Sequence, residues 1–144
     1  MFEIGETSVK AKKLVRITYE SMMKAIKIIK ENVHLGDIGS TIQKYVEAEG
    51  FSVVQDFCGH GIGEIFHKEP NVLHYGKEGT GEKLKKGMIF TVEPMINFGK
   101  YETKTLNDGW TAVTKDKSLS AQFEHTIGVT KDGCEIFTQS LNKN

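Results

Sequence analysis

The stretch Cys58-Gly59-His60-Gly61-Ile62-Gly63-Glu64-Ile65-Phe66-His67-Lys68-Glu69-Pro70 divides this chain into two textures. Before it, apolar residues recur at helical spacing; after it, they come in short runs punctuated by glycine. Between Thr7 and Val33, Leu14, Ile17, Met22, Ala25, Ile28 and Ile29 define one apolar stripe, with lysines largely between. That pattern predicts one long helix, capped by Thr7 or Ser8, with Lys24, Lys27 and Lys30 toward its negative end. After His34-Leu35-Gly36, Asp37 is expected to cap a second helix carrying Ile38, Ile42, Tyr45, Val46 and Ala48, ended by Gly50. From Phe51 onward the runs 51–54, 88–96, 110–113, 120–129 and 134–137 read as strands. Hairpin turns are expected at Lys131-Asp132-Gly133 and Asn107-Asp108-Gly109. The expected fold class is α+β, two helices packed on a mostly antiparallel sheet.

Composition narrows the function classes. The 144 residues carry 19 Lys plus Arg against 19 Asp plus Glu, so no basic excess exists to hold nucleic acid or anionic lipid by bulk charge. No run approaches the roughly 18 apolar residues of a membrane span, and Met1 to Ser8 lacks the regions of a secretory signal. A cytoplasmic protein is expected, with no membrane and no direct nucleic-acid partner. Cys58 and Cys134 are expected reduced. With no repeat or Pro-rich linker, residues 1–144 read as a single domain.

Glycines flank His60 on both sides, which lets ligands or backbone approach it closely. Taken alone, that spacing fits a tight glycine turn with a backbone-bonded histidine better than it fits a metal ligand. Glu93, in Phe90-Thr91-Val92-Glu93-Pro94, and Glu124, in Phe123-Glu124-His125-Thr126, each stand inside an apolar run. A buried carboxylate there needs a cation, a metal or a hydrogen-bond network; a carboxylate on the solvent face needs none. One imidazole with two carboxylates is a donor set suited to a divalent metal (Mn, Fe, Co or Zn) that activates water.

These motifs together, Gly59-His60-Gly61-Ile62-Gly63 with Phe66-His67, then Thr91 to Met95, Asp108 to Thr111 and Ser120 to Thr126, resemble type I methionine aminopeptidases, metallopeptidases of family M24. The resemblance runs from about Thr7 to Thr138 and covers only the C-terminal half of that family's pita-bread fold. It implies removal of the initiator methionine from the N-terminus of nascent polypeptides. It makes His60, Glu93 and Glu124 the metal ligands and His67 and Glu93 the catalytic pair, Glu93 moving the proton of the attacking water. It makes His67 the residue that bonds the substrate peptide, and Phe66, Trp110, Phe57 and Cys58 the lining of a thioether pocket; Phe57 fits ordinary core packing equally well. The full-length family holds two divalent metals (Co, Mn, Fe or Zn), two aspartates of the first half completing the pair; no equivalent of those aspartates stands here.

Met1-Phe2 resembles an internal methionine of that family used as a start. At most one metal is therefore expected, with little activity in isolation and with pairing to a missing N-terminal half or self-association. The alternative is a non-catalytic protein-binding module on the same fold. His34, His74 and His125 receive no metal role and are expected at solvent or supporting positions.

Overall fold

The computed structural model describes residues 1–140, so the last four residues of the expected domain 1–144 lie outside the described residues. Helix α1 spans Val9–Ile28, and the Ser8 hydroxyl accepts the Ala11 N–H at 3.2 Å, the N-cap bond expected of a serine. The helix stops well before Val33. Ile29 turns to extended backbone with ψ 123° and is 1% exposed, so the chain leaves the helix to bury that side chain. Of the three lysines expected near the helix end, Lys27 lies in the last turn and Lys30 falls outside.

Helix α2, Leu35–Ala48, starts before Asp37, which is therefore not its cap. Asp37 sits in the first turn and reaches back to accept the His34 N–H at 2.9 Å, a carboxylate at the positive helix end. At the far end Gly50 N–H bonds Glu47 O and Phe51 N–H bonds Val46 O, the paired bonds of a Schellman motif.

Among the described residues the strands are β1 Ser52–Val53, β2 Gly59–Gly61, β3 Lys68–Val72, β4 Ile89–Val92, β5 Met95–Asn97, β6 Thr103–Thr105, β7 Ala112–Thr114, β8 Ser120–Gln122, β9 His125–Val129 and β10 Cys134–Ile136. They form a sheet β1-β5-β8, a sheet β10-β9-β4-β2-β3 and a ribbon β6-β7, every described pairing antiparallel. Both expected hairpins form, β9 to β10 and β6 to β7. Leu14, Ile17, Met22 and Ala25 of α1 and Ile38, Ile42 and Val46 of α2 share one core with Val53, Ile96 and Ala121 of the smaller sheet and Phe90, Val92 and Ile127 of the larger. The helices thus cover both sheets with one continuous apolar layer.

The two glutamates do not lie inside strands. Each long apolar run breaks in two: β4 and β9 pair in the larger sheet, while β5 and β8, their continuations, pair in the smaller. The register is the same on both sides of the break, Val92 opposite His125 and Met95 opposite Gln122. Glu93 therefore stands opposite Glu124 where the two segments cross together from one sheet to the other. Pro94 has no N–H and its ring interrupts a ladder, which gives the crossing a local cause.

Candidate metal centre

His60 lies on β2, held between β3 and β4. A Cβ on Gly59 would stand 2.3 Å from Thr91 O, and one on Gly61 2.3 Å from Glu69 O, closer than any side chain tolerates. The glycines around His60 thus admit the carbonyls of the two neighbouring strands. The β2–β3 register shifts between His60 and Gly61, and such a bulge re-aims the side chain beside it.

A short chain of bonds links His60 to Glu93. The His60 N–H donates to Thr91 Oγ1 at 2.9 Å, and that hydroxyl donates to Glu93 Oε1 at 2.6 Å. His60 Nδ1 lies 3.1 Å from Gly61 O; a proton carried on that nitrogen leaves Nε2 its lone pair. Nε2 faces Glu93 Oε1 at 3.7 Å, a gap that one cation bonded to both at about 2.1 Å can span.

Glu93 is fixed at both ends. Gln122 Nε2 donates to its Oε2 at 3.3 Å, and its own N–H donates to His74 Nε2 at 3.0 Å. Burial pushes the Glu93 carboxyl above its ordinary range; the Thr91 hydroxyl bond opposes the rise, and the charge of Glu124 adds to it. The His60 and His67 imidazoles pull the other way, and a cation beside this half-buried carboxylate would oppose both the burial and the Glu124 charge. Glu124 itself is exposed. Among the described residues no three His, Cys, Asp or Glu side chains stand close enough together to hold an ion; His60 and Glu93 form the close pair, with Glu124 opposite in register.

His67 and Phe66 crowd the outer side of this pair. The His60 and His67 rings meet edge to face at 4.3 Å between centroids, Phe66 lies 4.7 Å from His67 and 5.2 Å from His60, and both outer residues are exposed. Cys58 is near enough that Glu93 helps burial raise its thiol pKa. Phe57 lines a groove of about 520 Å³ with Met95, Asn97 and Leu106. Trp110 starts no strand: it stands 89% exposed after the β6–β7 turn, where Asp108 Oδ1 accepts its N–H.

Two supporting residues escaped the sequence reading, Thr91 and Gln122, and for His74 the reading left solvent and supporting positions open; the structure gives it the supporting one. His74 is buried at 2% exposure, and that burial holds its pKa down at about 4. Nothing in the spacing of Leu73-His74-Tyr75 signals it. Thr91 and Gln122 lie inside the quoted motifs, and their alternation with Glu93 and Glu124 was the available signal. His125 Nδ1 bonds Thr138 Oγ1 at 2.9 Å, a supporting position.

Metallopeptidase family M24 matches residues 1–131. The methionine aminopeptidase of Rickettsia prowazekii is 57% identical over 144 residues, covering 99% of this chain and 56% of that protein. That of Escherichia coli K12 is 56% identical over 138 residues, covering 96% of this chain and 52% of that protein. The Rickettsia prowazekii crystal structure superposes with a TM-score of 0.94 at 57% identity, covering 96% of this chain and 56% of that one. The α+β architecture is thus that of part of the pita-bread fold. The chain spans about half the length of the curated relatives it matches. No helix among the described residues is long and apolar enough to cross a membrane.

Proposed function

Since the chain belongs to metallopeptidase family M24, we propose that it carries the His60, Glu93 and Glu124 portion of a machinery that removes the N-terminal methionine of nascent polypeptides. The observation that carries this reading is the His60–Glu93 pair at 3.7 Å, His60 on β2 and Glu93 just past the end of the neighbouring β4. His60 Nε2 and the Glu93 carboxylate would hold a divalent cation (Co, Mn, Fe or Zn), with Glu124 joining from across the crossing. When bound, the cation acidifies water at the site and polarises the scissile carbonyl.

The chain's own residues do the rest. Glu93 accepts the proton of the attacking water and returns it to the leaving amine. His67, exposed beside His60, donates a hydrogen bond to the substrate peptide, and Phe66 packs against both rings so that His67 keeps its orientation. Phe57 and Cys58, with Phe66 and Trp110, would offer the methionine side chain an apolar lining.

Complete activity requires what the relatives carry beyond the matched half, supplied by a longer chain, a separate partner or a second copy. The test is hydrolysis of a Met-Ala-Ser peptide with Mn²⁺ or Co²⁺, by this chain alone and mixed with the remaining portion of the Rickettsia prowazekii relative. Turnover in the mixture alone is expected. Turnover by the chain alone would refute the division of ligands. No turnover in either, with the two parts shown to associate, would favour a protein-binding module; that reading draws on the absence of a three-residue ion cluster among the described residues.

A further inference from the structure

The crossing at Glu93 poses a backbone problem that the sheets do not solve. β4 ends its ladder at Val92 and β5 begins its own at Met95, and Pro94 has no N–H, so the Glu93 N–H is the one backbone donor between the two ladders. His74 takes it, with Nε2 accepting at 3.0 Å. The imidazole comes from outside the crossing, on the Leu73–Tyr75 segment that follows β3. That segment lies directly on α2, because Gly39 has no side chain to hold it off: a Cβ there would stand 2.7 Å from Leu73 O and 2.4 Å from Tyr75 O. With His74 only 2% exposed, the ring has little room to turn away.

We propose that His74 is a positioning residue: its Nε2, by binding the Glu93 N–H at the sheet crossing, sets the backbone from which the Glu93 carboxylate faces His60. This rests on the reading of Glu93 as a cation ligand. The carboxylate is oriented from two directions, its oxygens by Thr91 and Gln122 and its backbone by His74. Thr91 and Gln122 act on a side chain that can rotate. His74 acts on the Cα from which that side chain starts, so a lost bond displaces the whole carboxylate.

The test has two independent readouts on the full chain. In ¹⁵N-labelled wild type, a scalar coupling between the Glu93 amide nitrogen and His74 Nε2 is expected, which only a hydrogen bond between them transmits. Co²⁺ titration, followed by the visible absorption of the bound ion, then compares wild type with His74→Phe, which fills the space without an acceptor, and His74→Gln, whose amide oxygen can accept. His74→Phe is expected to lower Co²⁺ affinity about 10- to 100-fold, and His74→Gln to recover most of it. If His74→Phe does not fold, the wild-type coupling and the His74→Gln titration still decide: affinity within a few-fold of wild type and a preserved downfield Glu93 amide are expected.

Absence of the coupling overturns the proposal while leaving the cation reading intact. Co²⁺ affinity unchanged in His74→Phe overturns it too, as does an equal loss in both variants that follows their thermal stability, which marks a merely structural residue. A coupling present in a wild type that binds no Co²⁺ defeats the cation reading itself and, with it, the positioning role.

Discussion

Gly39→Ala reaches the site indirectly, from helix α2 through the segment that carries His74. In an ordinary helix interior the change would stabilise by about 1 kcal/mol, because alanine is the better helix former. Here the new Cβ meets two backbone carbonyls, Tyr75 O at 2.4 Å and Leu73 O at 2.7 Å, and restoring ordinary contact requires the Leu73–Tyr75 segment to move by about 1 Å. Overpacking of this kind costs about 1–3 kcal/mol. Movement of His74 also loosens its bond to the part-buried Glu93 N–H, a further loss of about 1–3 kcal/mol. Set against the helix gain, the expected net is a destabilisation of about 3 kcal/mol, a large share of the roughly 5–15 kcal/mol that holds a domain folded. Urea unfolding followed by far-ultraviolet circular dichroism should show the midpoint falling by more than about 1 M. A midpoint unchanged or raised would refute the close packing of α2 on this segment and remove the structural support beneath His74.

Other expectations concern separate parts of the molecule. Tyr45 donates a short hydrogen bond to the Glu20 carboxylate between the two helices, which lowers the Glu20 pKa and lifts the Tyr45 pKa to about 12. Tyr45→Phe should cost about 1 kcal/mol in chemical unfolding at neutral pH. Glu20's share is fully present above its ordinary pKa near 4.5 and vanishes as pH falls through the depressed folded value, so the gap between wild type and variant should close in acid. Tyr45's share is present below pH 10 and lost as pH rises through about 12. Thr91→Val removes a hydroxyl that accepts the His60 N–H and donates to Glu93; a loss of about 1–3 kcal/mol is expected, with the ¹³C-observed Glu93 titration moving further upward. Trp110→Ala, at 89% exposure, should leave the free energy of chemical unfolding within about 0.5 kcal/mol of wild type.

Local rules carried the reading wherever a residue's role depends on its near neighbours. Ser8 caps α1, Gly50 follows α2, and Lys131-Asp132-Gly133 turns a hairpin, because caps and turns are decided within a few residues. The reading failed where a distant strand decides. Gly59–Gly61 lacks apolar alternation and is a strand only because β3 and β4 pair with it on either side. Lys68–Val72 is polar and contains a proline, which its place at the sheet edge tolerates. Thr103–Thr105 belongs to a two-stranded ribbon with little burial.

The site shows the same division. His60, Glu93 and Glu124 were singled out as a candidate donor set by the resemblance; from the residues alone His60 fitted a glycine turn better and each carboxylate stayed open between a buried and a solvent-facing place, while the structure brings His60 and Glu93 within 3.7 Å and leaves Glu124 exposed. That the two carboxylates face each other at a sheet crossing depends on register, which no spacing along the chain reveals. His74 was the least legible. Its partner lies on a strand far along the sequence, and the glycine that lets it arrive belongs to a different helix.

In the proposed site His60 and Glu93 together hold a divalent cation while His67 serves the substrate. Calorimetric titration of Mn²⁺ into wild type, His60→Ala and His67→Ala tests it most directly. One weak site is expected in wild type, with its loss in His60→Ala and near wild-type affinity in His67→Ala. Equal loss of binding in both variants, or undiminished binding in His60→Ala, would contradict it.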